Sequence, residues 1–403
     1  MGDATIKFGN HLSLKPTDKS IRNNLIVGID ATNIRGGGGV THIIELLSAA
    51  DPVVHGISKV IIWGGSHTLG KLPQRPWLKK VNPPALNKGL LARSFWQRFL
   101  LSSAARAELC DVLFVPGGSF NGTFKPIIAM SQNLLPFELS ELGRYGLSLM
   151  ALKLKILRYT QSQSFKCADG MIFLTNYAER AVLNVTGPLT EMTATIPHGI
   201  SPRFMMEPKL QRPIEEYSDK NPYRLLYVSG IEPYKHQWQL IEAVHFLRKQ
   251  DIPVRLDLVG PAFPYALMRL NTAIEEFDPD NNWVSYLGAI PYEELHNLYA
   301  QADLGVFASS CENMPIILLE KMSSGLPIAC SNRGPMSEIL GDAGLYFDPE
   351  NPLEIMQTLR QFINSPELRS EMASHSAARC KQYSWSRCAD QTFKFFTKVS
   401  LAS

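Results

Sequence analysis

Two glutamates, Glu312 and Glu320, stand with seven residues between them. The apolar run 304–308 ahead of them reads as a buried strand. The stretch 315–324 reads as the helix that follows, with Asn313 as its cap, Pro315 in its first turn and Gly325 at its end. Glu312 then precedes the helix and Glu320 lies within it. A helix start offers unpaired N–H groups and the positive end of a dipole, which favour a phosphate. Carboxylates accept hydrogen bonds from ring hydroxyls, so each glutamate can serve a different hydroxylated ring. Taken alone, two glutamates at this spacing are equally a surface acid and a helix-terminal charge, so the choice depends on the surrounding elements.

Those elements repeat one pattern twice. Apolar strands at 25–30, 59–63, 112–115, 126–130 and 170–174 alternate with helical stretches at 40–50, 94–109, 147–166 and 176–185. A stretch rich in proline and charge, 202–222, interrupts the alternation. It restarts with strands at 224–228, 254–259, 284–287 and 304–308 and helices at 237–249, 264–277 and 292–301. Three closing helices are read at 352–365, 366–382 and 385–400. Such alternation makes parallel sheets covered by helices, and 403 residues suffice for two cores. The expected fold is α/β, with two Rossmann-like domains facing a cleft. Its parts are a flexible N-terminus at 1–22, a first domain at 23–205, a linker at 206–222, a second domain at 223–382 and a C-terminal helix at 383–403. Doubly wound sheets bind ligands outside the carboxyl ends of their strands, which here is the cleft.

The block from Glu312 to Glu320 resembles the E-x7-E motif of retaining glycosyltransferases of glycosyltransferase family 4, which have the GT-B fold. Further matches follow in the family's order. Residues 227–236 resemble the strand and loop ending in a diphosphate-binding lysine, here Lys235, and 285–310 resemble the stretch beside the nucleotide base. Residues 36–39 resemble a flexible glycine loop ahead of the first helix, 196–201 the turn near the hinge, and 383–385 the start of a helix that returns to the first domain. The resemblance spans about 25–398 and is strongest at 196–348.

It implies a catalytic pair, Lys235 and Glu312, with Glu312 on the donor sugar and Glu320 on the nucleotide ribose. Asn313, Met314, Pro315 and Ile316 would line the donor site between them, Gly288, Ala289 and Ile290 would lie near the base, and Gly37 and Gly38 would join the donor site where bare backbone lets a diphosphate or the acceptor approach closely. Gln132 and Asn133 stand where many relatives carry histidine or aspartate near the acceptor. Neither is a general base at neutral pH, so both are expected to orient the acceptor or the sugar. His198 is a further cleft candidate. One position departs from the pattern: Gly230 replaces an arginine, which leaves Arg224, Arg333 or the helix dipole to share the charge with Lys235.

The implied activity is transfer of a hexose such as mannose, glucose or N-acetylhexosamine, with retention. The donor is a nucleotide diphosphate sugar and the acceptor a saccharide or lipid-linked glycan, as in cell-surface polysaccharide synthesis. A nucleotide-sugar epimerase, a phosphorylase or a non-catalytic sugar-nucleotide-binding protein remains open on the same fold. No D-x-D-like pair stands within the E-x7-E block or the stretch 285–310 before it, and no cysteine–histidine cluster has zinc spacing, so no metal or other cofactor is expected. A net charge of +3 argues against nucleic acid as a partner. Six scattered cysteines, no signal-peptide pattern and no membrane-length apolar run suggest a cytoplasmic protein. The stretches 90–106 and 147–166 mix basic with large apolar residues. They are either ordinary amphipathic helices with buried apolar faces or a docking surface for the anionic inner face of the plasma membrane.

Overall fold

A computed structural model describes residues 24–190 and 192–402. The expected flexible N-terminus, 1–22, lies outside the described residues. The apolar runs pair into two parallel sheets. The first contains β1 (Leu25–Ala31), β2 (Ile57–Gly64), β3 (Leu78–Val81), β4 (Val112–Val115), β5 (Ile127–Met130), β6 (Gly170–Phe173) and β7 (Thr193–Thr195), ordered β3-β2-β1-β4-β5-β6-β7. The second contains β8 (Tyr223–Val228), β9 (Val254–Val259), β10 (Val284–Tyr286), β11 (Leu304–Phe307), β12 (Ile328–Ser331) and β13 (Leu345–Phe347), ordered β10-β9-β8-β11-β12-β13. Strands β4, β5, β6, β11 and β12 are buried at every position, as central strands covered on both faces must be. This is the expected pair of Rossmann-like α/β domains.

Strand order reverses between β1 and β4 and again between β8 and β11. The crevices at these two switch points, beyond the carboxyl ends of the strands, are where such sheets hold ligands. The loops that can reach them follow β1, β4, β8 and β11. Lys235 and Glu312 stand on the last two.

Several local expectations need correction. The glycines at 36–39 do not form a loop ahead of the first helix: the helix spans Gly37–Ala49, with Gly36 as its cap. Gly37 has φ +62°, a conformation that favours glycine at this entry. The stretch 94–109 is two helices, Leu90–Phe99 and Leu101–Ala107. The helix after β11 is Ile316–Ser323 with Pro315 at its cap, so Asn313 is not the cap and Pro315 is not in the first turn.

The proline-rich stretch before β8 is anchored to the second sheet's layer. Arg369, fully buried, donates from Nε to Gln211 Oε1 at 3.1 Å, from a terminal nitrogen to the Arg212 carbonyl, and from Nη1 to the carbonyls of Phe362 at 2.6 Å and Ile363 at 2.7 Å. Four oxygen acceptors replace the carboxylate that a buried guanidinium usually needs. The last helix, Trp385–Ala402, lies on the first sheet: Phe396 packs on Phe114 at 4.9 Å between centroids, and Thr397 Oγ1 donates to the His55 carbonyl at 2.8 Å.

The two halves also touch directly. Glu338 accepts from the backbone N–H groups of Asn176 at 2.8 Å and Tyr177 at 2.9 Å. It thereby caps the first-half helix Asn176–Thr186 with a second-half carboxylate. Arg144 donates to Glu350 at 2.6 Å, and Ser310 to Glu141 at 2.8 Å.

Candidate active site

The loops from both switch points enclose a cavity of about 970 Å³. Its second-half wall includes Ser229, Gly230, Ile290, Tyr292, Glu320 and the run from Glu312 to Ile317. The first-half wall includes Asn33, Arg35, Gly38, Arg93, Gln132, Asn133, Lys153 and His198.

Glu312 and Lys235, brought together by the β11 and β8 loops, form an ion pair in which both side chains are mostly shielded from water. Lys235 Nζ also sits 4.9 Å from the centroid of the Tyr234 ring, in reach of its negative face. The glutamate lines the cavity, with the lysine immediately behind it. Neither substitute cation considered for Gly230 reaches this wall. Arg224 lies near the opposite end of β8 and bonds Gln301 at 3.0 Å, while Arg333 is paired with Asp348 at 2.8 Å.

Glu320 is 2% exposed, and its Oε2 accepts from the Tyr299 hydroxyl at 2.8 Å. Burial raises its carboxyl above the ordinary range, with the Tyr299 bond and the Lys321 charge opposing the rise. Lys321 itself is fully buried, which lowers its ammonium. It donates to the Val228 carbonyl at 3.4 Å and lies within 5.8 Å of the Tyr227, Tyr299 and Phe307 ring centroids. Gly305 makes this room, since a Cβ there would lie 3.1 Å from Lys321 Cδ.

Asn313 reaches across to the first half instead of capping its helix. Its Nδ2 donates to the Ser131 carbonyl at 2.8 Å, and its own carbonyl accepts from Thr175 Oγ1 at 3.1 Å. Asn133 Oδ1 accepts from the Leu135 N–H at 3.1 Å, a local turn bond, while the residue still lines the cavity. Gln132 Nε2 lies 3.7 Å from Met130 Sδ, and a Cβ on Gly39 would come within 3.1 Å of Gln132 Oε1, so the bare backbone of Gly39 lets the amide lie close to it.

His198 has a partner that sequence reading missed. Its Nδ1 lies 3.1 Å from His42 Nδ1, and both rings pack on Trp385. Burial holds both imidazoles below their usual range, His42 at about 3, so both are neutral at pH 7. One Nδ1 must then carry the shared proton. His42 Nε2 is buried without a partner. A proton on His42 Nδ1 leaves that Nε2 as a bare lone pair, less costly than an orphaned donor, and puts the His198 proton on Nε2.

Of the residues expected near a base and a diphosphate, Ile290 and Gly38 are on the wall, while Gly288, Ala289 and Gly37 are not part of it. Arg35, Arg93, Lys153, Tyr292 and His42 were not anticipated as site residues. The signal available for Arg35 was its place in the loop after β1, at the switch point.

Residues 211–379 match the family described as glycosyl transferases group 1. O-antigen chain mannosyltransferase B of Escherichia coli is 31% identical over 171 residues, covering 42% of this chain and 45% of that protein. The chain thus spans less than half the length of this curated relative. Among solved structures, sucrose-phosphate synthase of Thermosynechococcus elongatus superposes with a TM-score of 0.71 at 17% identity, covering 94% of this chain and all of the other. Anabaena HepE in complex with UDP and glucose superposes with a TM-score of 0.66 at 17% identity, covering 92% and 98%. These structural likenesses show a shared fold.

Proposed function

We propose that this chain is a retaining glycosyltransferase that moves a hexose from a nucleotide diphosphate sugar, held by the second half, to a saccharide or lipid-linked glycan held by the first. The observation that carries the reading is the paired Lys235 and Glu312 beside the helix start at Ile316, with Glu320 buried on the same wall. The family match over 211–379 supports it, and the mannosyltransferase relative makes mannose the first sugar to test. Glu312 accepts from sugar hydroxyls, and Glu320 from the ribose. Lys235 and the helix start offset the charge that grows on the departing diphosphate. The acceptor hydroxyl attacks the anomeric carbon from the face the diphosphate leaves. A bond forms from acceptor oxygen to that carbon, the bond from carbon to phosphate oxygen breaks, and the acceptor proton passes to the diphosphate oxygen. No metal is required in this scheme.

The test is a thermal-shift screen of nucleotide sugars, followed by product analysis of the best binder. The expected result is a rise in Tm with one donor, release of its nucleoside diphosphate, a product with the donor's anomeric configuration, and turnover unaffected by chelator. Epimerised donor, binding without turnover, or a strict need for magnesium or manganese would overturn the corresponding part.

Docking on an anionic membrane belongs to the same proposal. It is supported by the apolar faces of helices Leu90–Phe99 and Leu149–Lys166, which are in large part not buried: Leu91 is 87% exposed, Phe95 60% and Leu149 87%. Both helices also contribute to the cavity wall, so docking would bring the cleft mouth to a lipid-linked acceptor. Among the described residues no helix is long and apolar enough to cross a membrane. The expected result is pelleting with anionic but not neutral vesicles. It should weaken when Arg98, Lys155 and Arg158, which lie outside the cavity wall, become glutamine, at about 1 kcal/mol each. Absence of pelleting at low salt would favour a soluble acceptor.

A further inference from the structure

The first-half wall of the cavity carries Arg35, Arg93 and Lys153 and no carboxylate; the acids on the wall, Glu312 and Glu320, come from the second half and are already bonded to Lys235 and Tyr299. Among the described residues none of these three cations is in an ion pair. Their own contacts are weak. Arg35 donates to the Lys88 carbonyl at 3.4 Å, and Arg93 to the Thr32 carbonyl at 3.4 Å and Asn33 Oδ1 at 3.2 Å. Arg93 Nε is shielded from solvent with no partner at all.

We infer that this wall is a phosphate subsite: Arg35 and Arg93 grip a phosphate or diphosphate group on the acceptor, and Lys153 adds its charge from the neighbouring helix. The inference rests on the reading of the second half as the donor site. Two guanidiniums that feel one another and have no counterion are unfavourable until an anion arrives. Burial first, and the Arg35 charge second, push Arg93 below its ordinary range, and an arriving anion would offset both. Guanidinium is the group whose fork of N–H donors matches phosphate oxygens two at a time. The start of helix Gly37–Ala49 adds to this potential. Its cap, Gly36, has no side chain to satisfy the first N–H groups, and a Cβ at Gly36, Gly37 or Gly38 would meet nothing within 4 Å, so space is open in front of them. The donor's diphosphate has its own cation in Lys235 and its own helix start at Ile316. The cations of the opposite wall are therefore left for a second anion. A lipid-linked phosphate and a soluble sugar phosphate share this chemistry.

The experiment is calorimetry on the full chain, first with UDP and GDP, then with octyl phosphate, methyl phosphate and octyl glucoside added to the protein saturated with whichever nucleotide binds. Octyl phosphate is expected to bind and octyl glucoside not. Arg35→Gln and Arg93→Gln should each weaken octyl phosphate by about tenfold or more, the range for a hydrogen bond to a charged group, with part of the loss recovered in Arg93→Lys. Nucleotide affinity should stay unchanged in all three variants. Octyl phosphate much tighter than methyl phosphate identifies a lipid-linked acceptor, and equal affinities a soluble one; both support the subsite. Octyl phosphate no tighter than octyl glucoside, or variants that weaken the nucleotide instead, overturns it. Failure of both nucleotides to bind the wild type sinks the donor reading, and the phosphate series on the free protein then judges the subsite alone.

Discussion

Replacing Lys235 with alanine lowers kcat by at least ~10²-fold, the scale for losing one preorganised charge that stabilises a transition state. The effect is large because little else on that wall can substitute. Gly230 stands where a second cation is expected, Arg224 lies at the far end of β8, and Arg333 is committed to Asp348. The ammonium is also shielded from water beside Tyr234 and Phe307, where a charge acts more strongly than in bulk solvent. In the unliganded chain its counterion is Glu312. An arriving diphosphate competes for the lysine and frees the glutamate to accept from the sugar, so one exchange of partners prepares both groups. Glu312→Ala should accordingly reduce turnover without weakening nucleotide binding, since the sugar loses an acceptor while the lysine loses a competitor for the diphosphate. Both variants are to be compared at saturating donor, with Tm measured alongside because Lys235→Ala strands a shielded carboxylate. A loss of kcat well below the expected scale would mean that another cation serves the diphosphate.

The central strands were legible in the sequence because each is a short unbroken apolar run, the pattern of a strand buried on both faces. The first sheet's edges were not. β3 pairs on one side only and carries Lys79 and Lys80, and β7 is a Thr-Ala-Thr run exposed at both threonines. Neither has an apolar signature to find. Motif order found Glu312 and Glu320, which share one cavity wall, and Lys235, which is paired with Glu312 behind it, because the segments that carry them follow readable strands. Asn313 was misread because capping is a local rule, whereas its partner Ser131 lies 182 residues away across the cleft. The same limit hid His42, a polar residue inside an apolar helix whose partner is 156 residues distant. Arg35 and Arg93 are two of 40 basic residues, and nothing in their spacing marks them as lining one cavity. Only the β1 switch point and the helix beside it bring them to one wall.

Glu320→Ala should weaken nucleotide binding by about 10–100-fold, the range for losing hydrogen bonds to a charged acceptor, and the pH dependence of that binding should identify the group. Burial raises the Glu320 carboxyl above its ordinary value. A carboxylate accepts from two ribose hydroxyls, whereas a protonated carboxyl must spend one oxygen as a donor. Since the ionised form is the better acceptor, nucleotide affinity should rise as pH climbs through the raised pKa and level off above it. In Glu320→Gln, which keeps the shape and an oxygen for the Tyr299 hydroxyl, affinity should be low and flat across the same range. Lys321 gives an independent lever, because its buried ammonium opposes the rise of Glu320 from beneath the cavity, and it is not part of the cavity wall. Lys321→Met removes that charge at similar length, so the rise in affinity should move to higher pH. Calorimetric titration of nucleotide at intervals from acid to mildly alkaline pH, spanning the raised Glu320 pKa of about 7, measures all three proteins. A wild-type profile as flat as that of Glu320→Gln would remove the ribose role from Glu320. An unshifted profile in Lys321→Met would show that burial and Tyr299 alone set its proton affinity.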